Sequence, residues 1–299
     1  MTISRVDLTE ANGYILEEQG STVIQDLIAN SAVERFARRE AMASRTKSVP
    51  RFLADAPEVV AEGDAIPAAT ATLDEVVLTA KKYAKLFHIS EEDINDSLVD
   101  VLTTYKREWA SRWARKFDNA TLGLDVNVDG TDAAPYKSLY YAVADDYSNN
   151  ITATQGDLTF DHVNEALSIV ETSSKFDAAN TVFMAHPKML AALRGMKTGT
   201  MQELVLPNPL DATPGSLFGY PLVVSYGAAR SSSATDAPTG NPLLIVGNRQ
   251  MLINGVRGGV ESVVSRDAEF ARDGVVLKTR IRRGFVVADP SAFAIVEKN

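Results

Sequence analysis

The sequence predicts an α+β fold, and three observations support this. A long helical stripe follows Ser90, helix and strand patterns alternate through residues 151–250, and the last fifty residues are rich in strand-like alternation. The chain has 299 residues, of which 45% are hydrophobic. A chain of this size and composition can bury one large core or two smaller ones.

The composition excludes several classes of protein. There is no cysteine, so disulfides, thiolate nucleophiles and zinc sites with cysteine ligands are excluded. No apolar run approaches the length of a membrane-spanning helix, and we expect no secretory signal at the N-terminus. The net charge of -9 argues against a protein that grips nucleic acid by charge, because such proteins carry a basic face.

Residues 1–48 are predicted to form an arm. Helical spacing extends from Ser21 to Met42, and Ser31 with Glu34 three residues later is typical of a capping box. The stretch from Glu34 to Arg51 is basic, with Arg35, Arg38, Arg39, Arg45, Lys47 and Arg51. Two interpretations remain open: a solvated helix face, or an arm that lies on an acidic neighbour.

The next segment has the opposite charge. Phe52 to Ala80 contains no Lys or Arg, and its six acids are Asp55, Glu58, Glu62, Asp64, Asp74 and Glu75. Strand alternation around Thr72 to Leu86 and a turn at Glu62-Gly63-Asp64 predict a long two-stranded ribbon. Such a ribbon buries too little apolar surface to be stable alone. It must therefore lie on its own domain or on a neighbouring subunit.

Residues 90–122 carry the strongest helix prediction. Ser90 is a favourable N-cap, and three acids follow it at the positive end of the helix dipole. Apolar residues then recur in steps of three or four: Ile94, Leu98, Val101, Leu102, Tyr105, Trp109, Trp113 and Phe117. We expect this stripe to face a core, and we interpret the two tryptophans as packing residues.

Residues 151–250 are predicted to be an α/β unit. An amphipathic helix begins near Phe160, a buried strand covers Thr181 to Ala185, and a second helix begins at Pro187. Further strands are expected at Leu222-Val223-Val224 and Leu243-Leu244-Ile245-Val246, and an apolar tail closes the chain.

A basic stripe is predicted on the C-terminal strand. From Val275 to Val287 the residues alternate, with Val275, Leu277, Thr279 and Ile281 on one side and Val276, Lys278, Arg280 and Arg282 on the other. We take Lys278, Arg280, Arg282 and Arg283 together as this stripe, which is a candidate contact surface.

The search for chemistry finds no catalytic, cofactor or metal site. The three histidines, His88, His162 and His186, have no metal-ligand spacing, and phosphate-loop, dinucleotide and nucleophile-elbow motifs are absent from the sequence. His186 stands at a strand-to-helix junction, where we expect it to cap the helix or to pack. Asp145-Asp146 is interpreted as a solvated turn.

The order of parts resembles the major capsid proteins of tailed phages with the Hong Kong 97-type fold. The residues that carry the resemblance are Ser48-Val49-Pro50-Arg51, Ala61-Glu62-Gly63-Asp64-Ala65-Ile66-Pro67, Leu86 to Glu92, Phe183 to Gly199, Leu217 to Val224 and Arg283 to Phe293. They follow one another over nearly the whole chain. One departure is Gly247-Asn248, where relatives often have Gly-Asp.

This resemblance implies a division into five regions. They are an N-arm (1–48), an E-loop (49–88), a P-domain with the spine helix (89–150), an A-domain (151–258), and P-domain strands with the C-terminal return (259–299). The implied role is a non-enzymatic, self-assembling icosahedral head shell that encloses phage DNA, built in the host bacterial cytoplasm. No long scaffolding segment precedes the arm, so scaffolding would come from a separate protein or be dispensable.

The resemblance also implies partners. They are further copies in hexamers and pentamers, a portal, possible scaffolding or decoration proteins, and DNA held non-specifically, with no cofactor and no membrane. Contacts between copies are expected at Glu58, Glu62, Asp64, Arg38, Arg39, Lys278, Arg280, Arg282 and Arg283.

Three alternatives stay open. The first is an encapsulin-like bacterial compartment of the same fold, the second a soluble α/β enzyme, and the third another virion part such as a decoration or tail protein.

Overall fold

The computed structural model describes residues 31–53, 59–60, 72–92, 101–154, 156–195, 215–269 and 273–299. The helices are α1 (Ala32–Phe36), α2 (Val101–Leu122), α3 (Leu139–Asp146), α4 (Phe160–Thr172) and α5 (Pro187–Gly195). The strands are β1 (Arg38–Ala41), β2 (Thr46–Leu53), β3 (Thr72–Thr79), β4 (Lys81–Ser90), β5 (Ile151–Thr154), β6 (Thr181–Ala185), β7 (Ser216–Leu217), β8 (Tyr220–Val224), β9 (Leu243–Asn248), β10 (Leu252–Val256), β11 (Glu261–Glu269), β12 (Gly274–Val287) and β13 (Phe293–Lys298).

A five-stranded sheet is organised around the long strand β12. On one edge of β12, β10 pairs with its second half and β11 with its first half, both antiparallel. On the other edge β4 pairs antiparallel, from Ser90 opposite Gly274 to Lys81 opposite Arg283. Strand β1 adds to β10 in parallel. Every strand of this sheet therefore depends, directly or through β10, on β12.

A six-stranded sheet has the order β5-β13-β9-β6-β8-β7. Side chains alternate between its faces, so Phe183, Leu244 and Val296 pack with α4 and α5 in one apolar cluster. Their neighbours Met184, Ile245 and Ile295 belong to the cluster that contains α2 and α3. The α/β pattern expected for residues 151–250 is confirmed, and the C-terminal strand β13 lies inside this sheet.

The aromatic stripe of α2 is buried, as its spacing predicts. Trp109 stacks on Trp113, and Trp113 on Phe117, with ring centroids 6.5 and 4.9 Å apart. Tyr83 from β4 meets Trp113 edge-on at 5.9 Å. The packing interpretation of the tryptophans is thus confirmed. Ser90 ends β4, and residues 93–100 of the predicted helix lie outside the described residues.

The arm differs from its prediction. The N-cap at Ser31 is confirmed, because its hydroxyl accepts from the Glu34 N–H at 3.1 Å. The helix expected to continue to Met42 is wrong, since α1 ends at Phe36 and β1 follows at once. The apolar helical spacing stops at Phe36. Beyond it, pairing with β10 satisfies the backbone groups better than a short helix could.

The two-stranded ribbon is confirmed. Strands β2 and β3 pair antiparallel from Thr46 opposite Thr79 to Leu53 opposite Thr72. Its base packs on the five-stranded sheet through Leu78, which is fully buried beside Met42 and Ile253. The predicted turn at Glu62-Gly63-Asp64 lies outside the described residues, as does Glu58. Strand β4, inside the segment assigned to the E-loop, belongs to the five-stranded sheet.

One buried side chain in β10 has no visible reason to be polar. Asn254 is fully buried, and neither its amide nitrogen nor its amide oxygen has a hydrogen-bond partner within the described residues. Asn119, in α2, is equally buried but fully bonded. Its Nδ2 donates to the carbonyls of Gly227 and Ala229, and its Oδ1 accepts from Ser231 and Thr235.

Asn254→Val is therefore expected to raise the free energy of unfolding by about 1–2 kcal/mol, because a desolvated amide with no partner is removed. The matched change Asn119→Val should lower it by at least about 2 kcal/mol, because it leaves buried groups unpaired. Urea unfolding of the isolated subunit measures both. A loss of stability from Asn254→Val would contradict the interpretation.

Candidate functional site

One face of the five-stranded sheet is basic. Lys278, Arg280 and Arg282 point away from α2, as the alternation predicts, and we call these three residues the basic sheet face. Lys278 is exposed and the two arginines are partly exposed. In the register of the sheet, Lys278 lies between Leu86 of β4 and Val263 of β11, whose side chains are 51% and 46% exposed. Charge and accessible apolar surface therefore occur side by side.

Two of the three cations on this face form no ion pair within the described part of the subunit. Arg280 forms an ion pair with Glu261 on the adjacent strand. Lys278 and Arg282 form no ion pair within the part of the chain that the structure describes. These two cations are available to a partner.

Arg283 does not belong to the stripe, and its inclusion there is wrong. Successive strand residues point to opposite faces, so Arg283 points inward where Arg282 points outward. Its side chain is 5% exposed and forms an ion pair with Glu34, whose side chain is 1% exposed. It also donates to the Gly258 carbonyl at 3.1 Å. Arg283 thus holds the arm base to β12.

The two arginines expected in an arm contact are both engaged within the chain. Arg39 lies 3.2 Å from the Glu34 carboxylate and also donates to the Glu34 carbonyl. Arg38 pairs with Glu40 at 2.7 Å. Both side chains remain about half exposed, and they lie on a strand and not on the expected helix. A contact with a neighbouring copy stays a prediction for them.

The residue that sequence reasoning missed is Asp118. This buried carboxylate of α2 accepts from the Ser31 hydroxyl (2.5 Å), the Ala32 N–H (2.8 Å), the Val33 N–H (3.3 Å) and the Ser225 hydroxyl (2.6 Å). It joins the start of α1, the spine helix and the segment after β8. A second stripe of small residues, Ala110, Ala114 and Thr121, was the available indication, because it marks another buried face of the same helix.

Burial raises the pKa of Asp118 to about 6, although the hydroxyl and amide hydrogen bonds act in the opposite direction. A raised pKa means that the folded protein binds a proton more tightly than the unfolded chain. Asp118 therefore contributes stability below its ordinary pKa of 3.8, and this contribution is lost as pH rises through about 6.

His186 behaves as one of the two expected alternatives. Its Nδ1 accepts from the Lys188 N–H at 3.2 Å, so it caps the start of α5, and its ring meets Tyr226 edge-on. Desolvation by burial lowers the pKa of His186 to about 4, with a further contribution from Lys188. Its neutral form therefore stabilises the fold above pH 6.5, and this contribution is lost as pH falls through about 4.

The described acidic side chains do not form a metal site. The adjacent Asp145 and Asp146 lie 3.0 and 3.6 Å from Lys137. Among the described residues, no three His, Asp or Glu side chains come together as a metal ligand set. None of the helices described is long and apolar enough to cross a membrane.

The buried pair of Glu34 and Arg283 gives a measurable prediction. Arg283→Met should lower the free energy of unfolding by about 3–5 kcal/mol, because it leaves the Glu34 charge buried without its main partner. The double variant Glu34→Gln/Arg283→Met should cost less than the sum of the single changes. The exposed pair of Arg38 and Glu40 is the control, with a coupling energy below about 1 kcal/mol. Additive losses at the buried pair would contradict this assignment.

The raised pKa of Asp118 gives a second measurable prediction. Asp118→Asn cannot titrate, so the stability advantage of the natural chain over this variant should shrink as pH rises from 3.8 through about 6. The expected change is about 3 kcal/mol. The titration of His186 cancels in the difference. Denaturant unfolding across this range is the measurement, and an advantage that grows with pH would refute the assignment.

Comparisons with known proteins give a consistent result. Residues 12–298 match the Phage capsid family. The probable major capsid protein gp17 of Mycobacterium phage L5 is 25% identical over an alignment of 150 residues, and the match covers 44% of this chain and 46% of that protein. This match therefore spans less than half the length of that relative.

Solved structures share the fold. A chain from Mycobacterium phage Bobi has a TM-score of 0.71 at 16% identity, with 90% of this chain and 91% of that chain covered. A chain from Microbacterium phage Oxtober96 has a TM-score of 0.69 at 21% identity, with 90% and 91% covered. A chain from the capsid of a native GTA particle has a TM-score of 0.64 at 15% identity, with 99% and 93% covered.

The expected α+β fold of the Hong Kong 97 type is thereby confirmed. With a match that covers almost its whole length, the chain belongs to the Phage capsid family.

Proposed function

We propose that the protein is a major capsid protein that assembles into the icosahedral head shell of a tailed phage. The observation that carries the proposal is a projecting two-stranded ribbon in a chain that also exposes a complementary basic sheet face. A subunit with these two parts can bind the next copy at each end. Membership of a capsid family supports the same conclusion.

The ribbon supplies the acidic half of the proposed contact. Strand β3 runs through Ala80 directly into β4, so the ribbon projects from the Lys81 end of the sheet. Its eight paired residues span about 26 Å at roughly 3.3 Å per residue. Residues 54–71 follow at its far end and carry Asp55, Glu58, Glu62 and Asp64 with no basic residue. The chain therefore enters this acidic segment about 26 Å from Lys81, which favours a neighbour's basic sheet face over the subunit's own.

The basic sheet face supplies the other half. Individual ion pairs at a surface contribute only about 0–1 kcal/mol, so charge would set register and choice of partner. The exposed side chains of Leu86 and Val263, beside Lys278, would contribute apolar burial. Arg38 and Arg39 are proposed to contact a neighbouring copy through the arm.

The remaining roles follow from this proposal. Copies would form hexamers and pentamers with the A-domain around the symmetry axes, in a virion assembled in the host bacterial cytoplasm. The proposed partners are a portal, separate scaffolding or decoration proteins, and non-specifically held DNA. We also propose that the chain is not an enzyme, because it belongs to a capsid family.

The alternatives are less well supported. The family match and the phage structures favour a phage head over an encapsulin-like compartment. Electron microscopy of the purified protein separates a shell from a soluble enzyme or a tail or decoration protein.

A charge swap tests the ribbon contact. Lys278→Glu/Arg282→Glu should block shell formation while leaving a folded subunit, because these cations have no ion pair to lose within the described chain. Adding Glu58→Lys, Glu62→Lys and Asp64→Lys to the same chain should restore shells, since both sides are reversed. Negative-stain electron microscopy and sedimentation measure assembly, and circular dichroism checks folding.

The matched control is Lys175→Glu/Lys188→Glu, which reverses two lysines outside the basic sheet face. This variant should still form shells, and the three lysine substitutions in the ribbon should not improve its assembly. Normal shells from the first double variant, or no rescue by the reversed ribbon, would refute the docking proposal.

A further inference from the structure

Three cations form a row on the same side of the five-stranded sheet as the basic sheet face. Lys82 of β4 lies directly opposite Arg282 of β12. On the other edge of β12, the Arg257 N–H donates to the Arg282 carbonyl at 3.4 Å, one residue beyond the pairing of Val256 with Arg283. Residues opposite each other in a sheet point to the same face, about 5 Å apart. We call Lys82, Arg282 and Arg257 the cation row.

The cation row has no counter-charge within the described ranges, where none of its members forms an ion pair. The acids that the register places on this face are already in use. Glu40 pairs with Arg38 and Lys47, and Glu261 pairs with Arg280. Like charges directly opposite each other destabilise a sheet. An anion bound across the row would remove this cost.

The base of the ribbon lies beside the cation row. Gly255 and Gly284 are opposite each other on this face, two residues from Arg257 and Arg282. A Cβ at Gly255 would come within 2.5 Å of the Met42 sulfur, so the ribbon base fills the space that side chains would take here. The row therefore lies in a corner between the sheet and the ribbon base, which shelters one side of a bound ligand.

The connection from β10 to β11 adds backbone donors next to the row. Gly258 has a φ of +75°, in the region that favours glycine, and its carbonyl accepts from Arg283 at 3.1 Å. The N–H groups of Gly258 and Gly259 have no hydrogen-bond partner in the described part of the chain, and both residues are exposed. They are available to an acceptor at the Arg257 end of the row.

We propose that the cation row binds a phosphate group with two or more negative charges, such as pyrophosphate or the terminal phosphates of a nucleotide. A phosphate monoester carries about two charges at pH 7 and has three strong acceptor oxygens. It can meet one guanidinium in a bidentate contact and still accept from a second cation and a backbone N–H. A single carboxylate has one charge and two oxygens, and it would leave part of the row unpaired.

The inference goes beyond the proposed shell and does not depend on it. Arg282 also belongs to the basic sheet face, so binding is measured on unassembled subunits of the full chain. Shells from a chain that binds no phosphate would sink this inference alone. Phosphate binding by a chain that forms no shells would sink the proposed function alone.

Isothermal titration calorimetry tests the proposal on the natural chain. Pyrophosphate, adenosine triphosphate and citrate are compared at equal ionic strength without divalent cations. We expect both phosphates to bind at least roughly tenfold more tightly than citrate, which carries a similar charge on carboxylates. Pyrophosphate should also raise the midpoint of thermal unfolding, because it binds the folded chain and relieves the repulsion in the row.

A pair of variants locates the site. Lys82→Gln/Arg257→Gln should weaken pyrophosphate binding by at least roughly tenfold, because two charge-assisted contacts are lost. Without ligand this variant should be no less stable than the natural chain, because repulsion is removed. The matched control Lys85→Gln/Lys278→Gln removes one cation from the opposite face of β4 and one from β12 four residues away from Arg282. The control should bind pyrophosphate like the natural chain.

Four outcomes would overturn the proposal. They are no binding of pyrophosphate, equal binding of citrate, an equal loss in the control variant, and tighter binding of a duplex DNA oligonucleotide with the same dependence on the row. The last would assign the row to a nucleic-acid backbone. The comparison with citrate uses the natural chain, so it decides the question even if a variant fails to fold.

Discussion

The buried carboxylate of Asp118 is the interaction on which the arrangement of parts depends. It accepts hydrogen bonds from the start of α1 and from Ser225 after β8, while it belongs to the spine helix itself. Desolvation of this group is costly, and it is offset only if the four donors stay in place. The arm base, the helix and the α/β sheet are therefore held in one geometry. One residue after Val33, the ion pair of Glu34 with Arg283 fixes α1 to β12.

This double attachment gives the base of the arm a defined position on the subunit. The ribbon is anchored by Leu78 and Arg51, the latter donating to the Ala288 carbonyl at 2.8 Å. The arm is anchored by Asp118 and Arg283. A ribbon that docks on a neighbouring copy, as proposed, needs such anchoring to leave the subunit in a fixed direction, because small angular errors accumulate around a closed shell.

Much of the fold was predictable because its signals are local. The three-to-four spacing around Trp109 and Trp113 predicted a buried helix face, and the alternation in Val275 to Val287 predicted which side of β12 is basic. Arg283 shows the limit of a compositional argument. Its positive charge suggested that it belongs to the basic stripe, but the alternation of strand residues places its side chain inside the protein. The buried guanidinium is stabilised there by an ion pair with Glu34, which is distant in sequence. Asp118 and β1 were missed for the same reason, since their partners lie far away in sequence.

The position of β13 has a consequence for how the protein is made. This strand lies between β5 and β9 inside the six-stranded sheet, and its side chains from Phe293 to Glu297 are buried. Among the described strands, β5 joins the sheet only through β13, which follows it by about 140 residues. The six-stranded sheet therefore cannot close during synthesis until β13 has left the ribosome and inserted between β5 and β9.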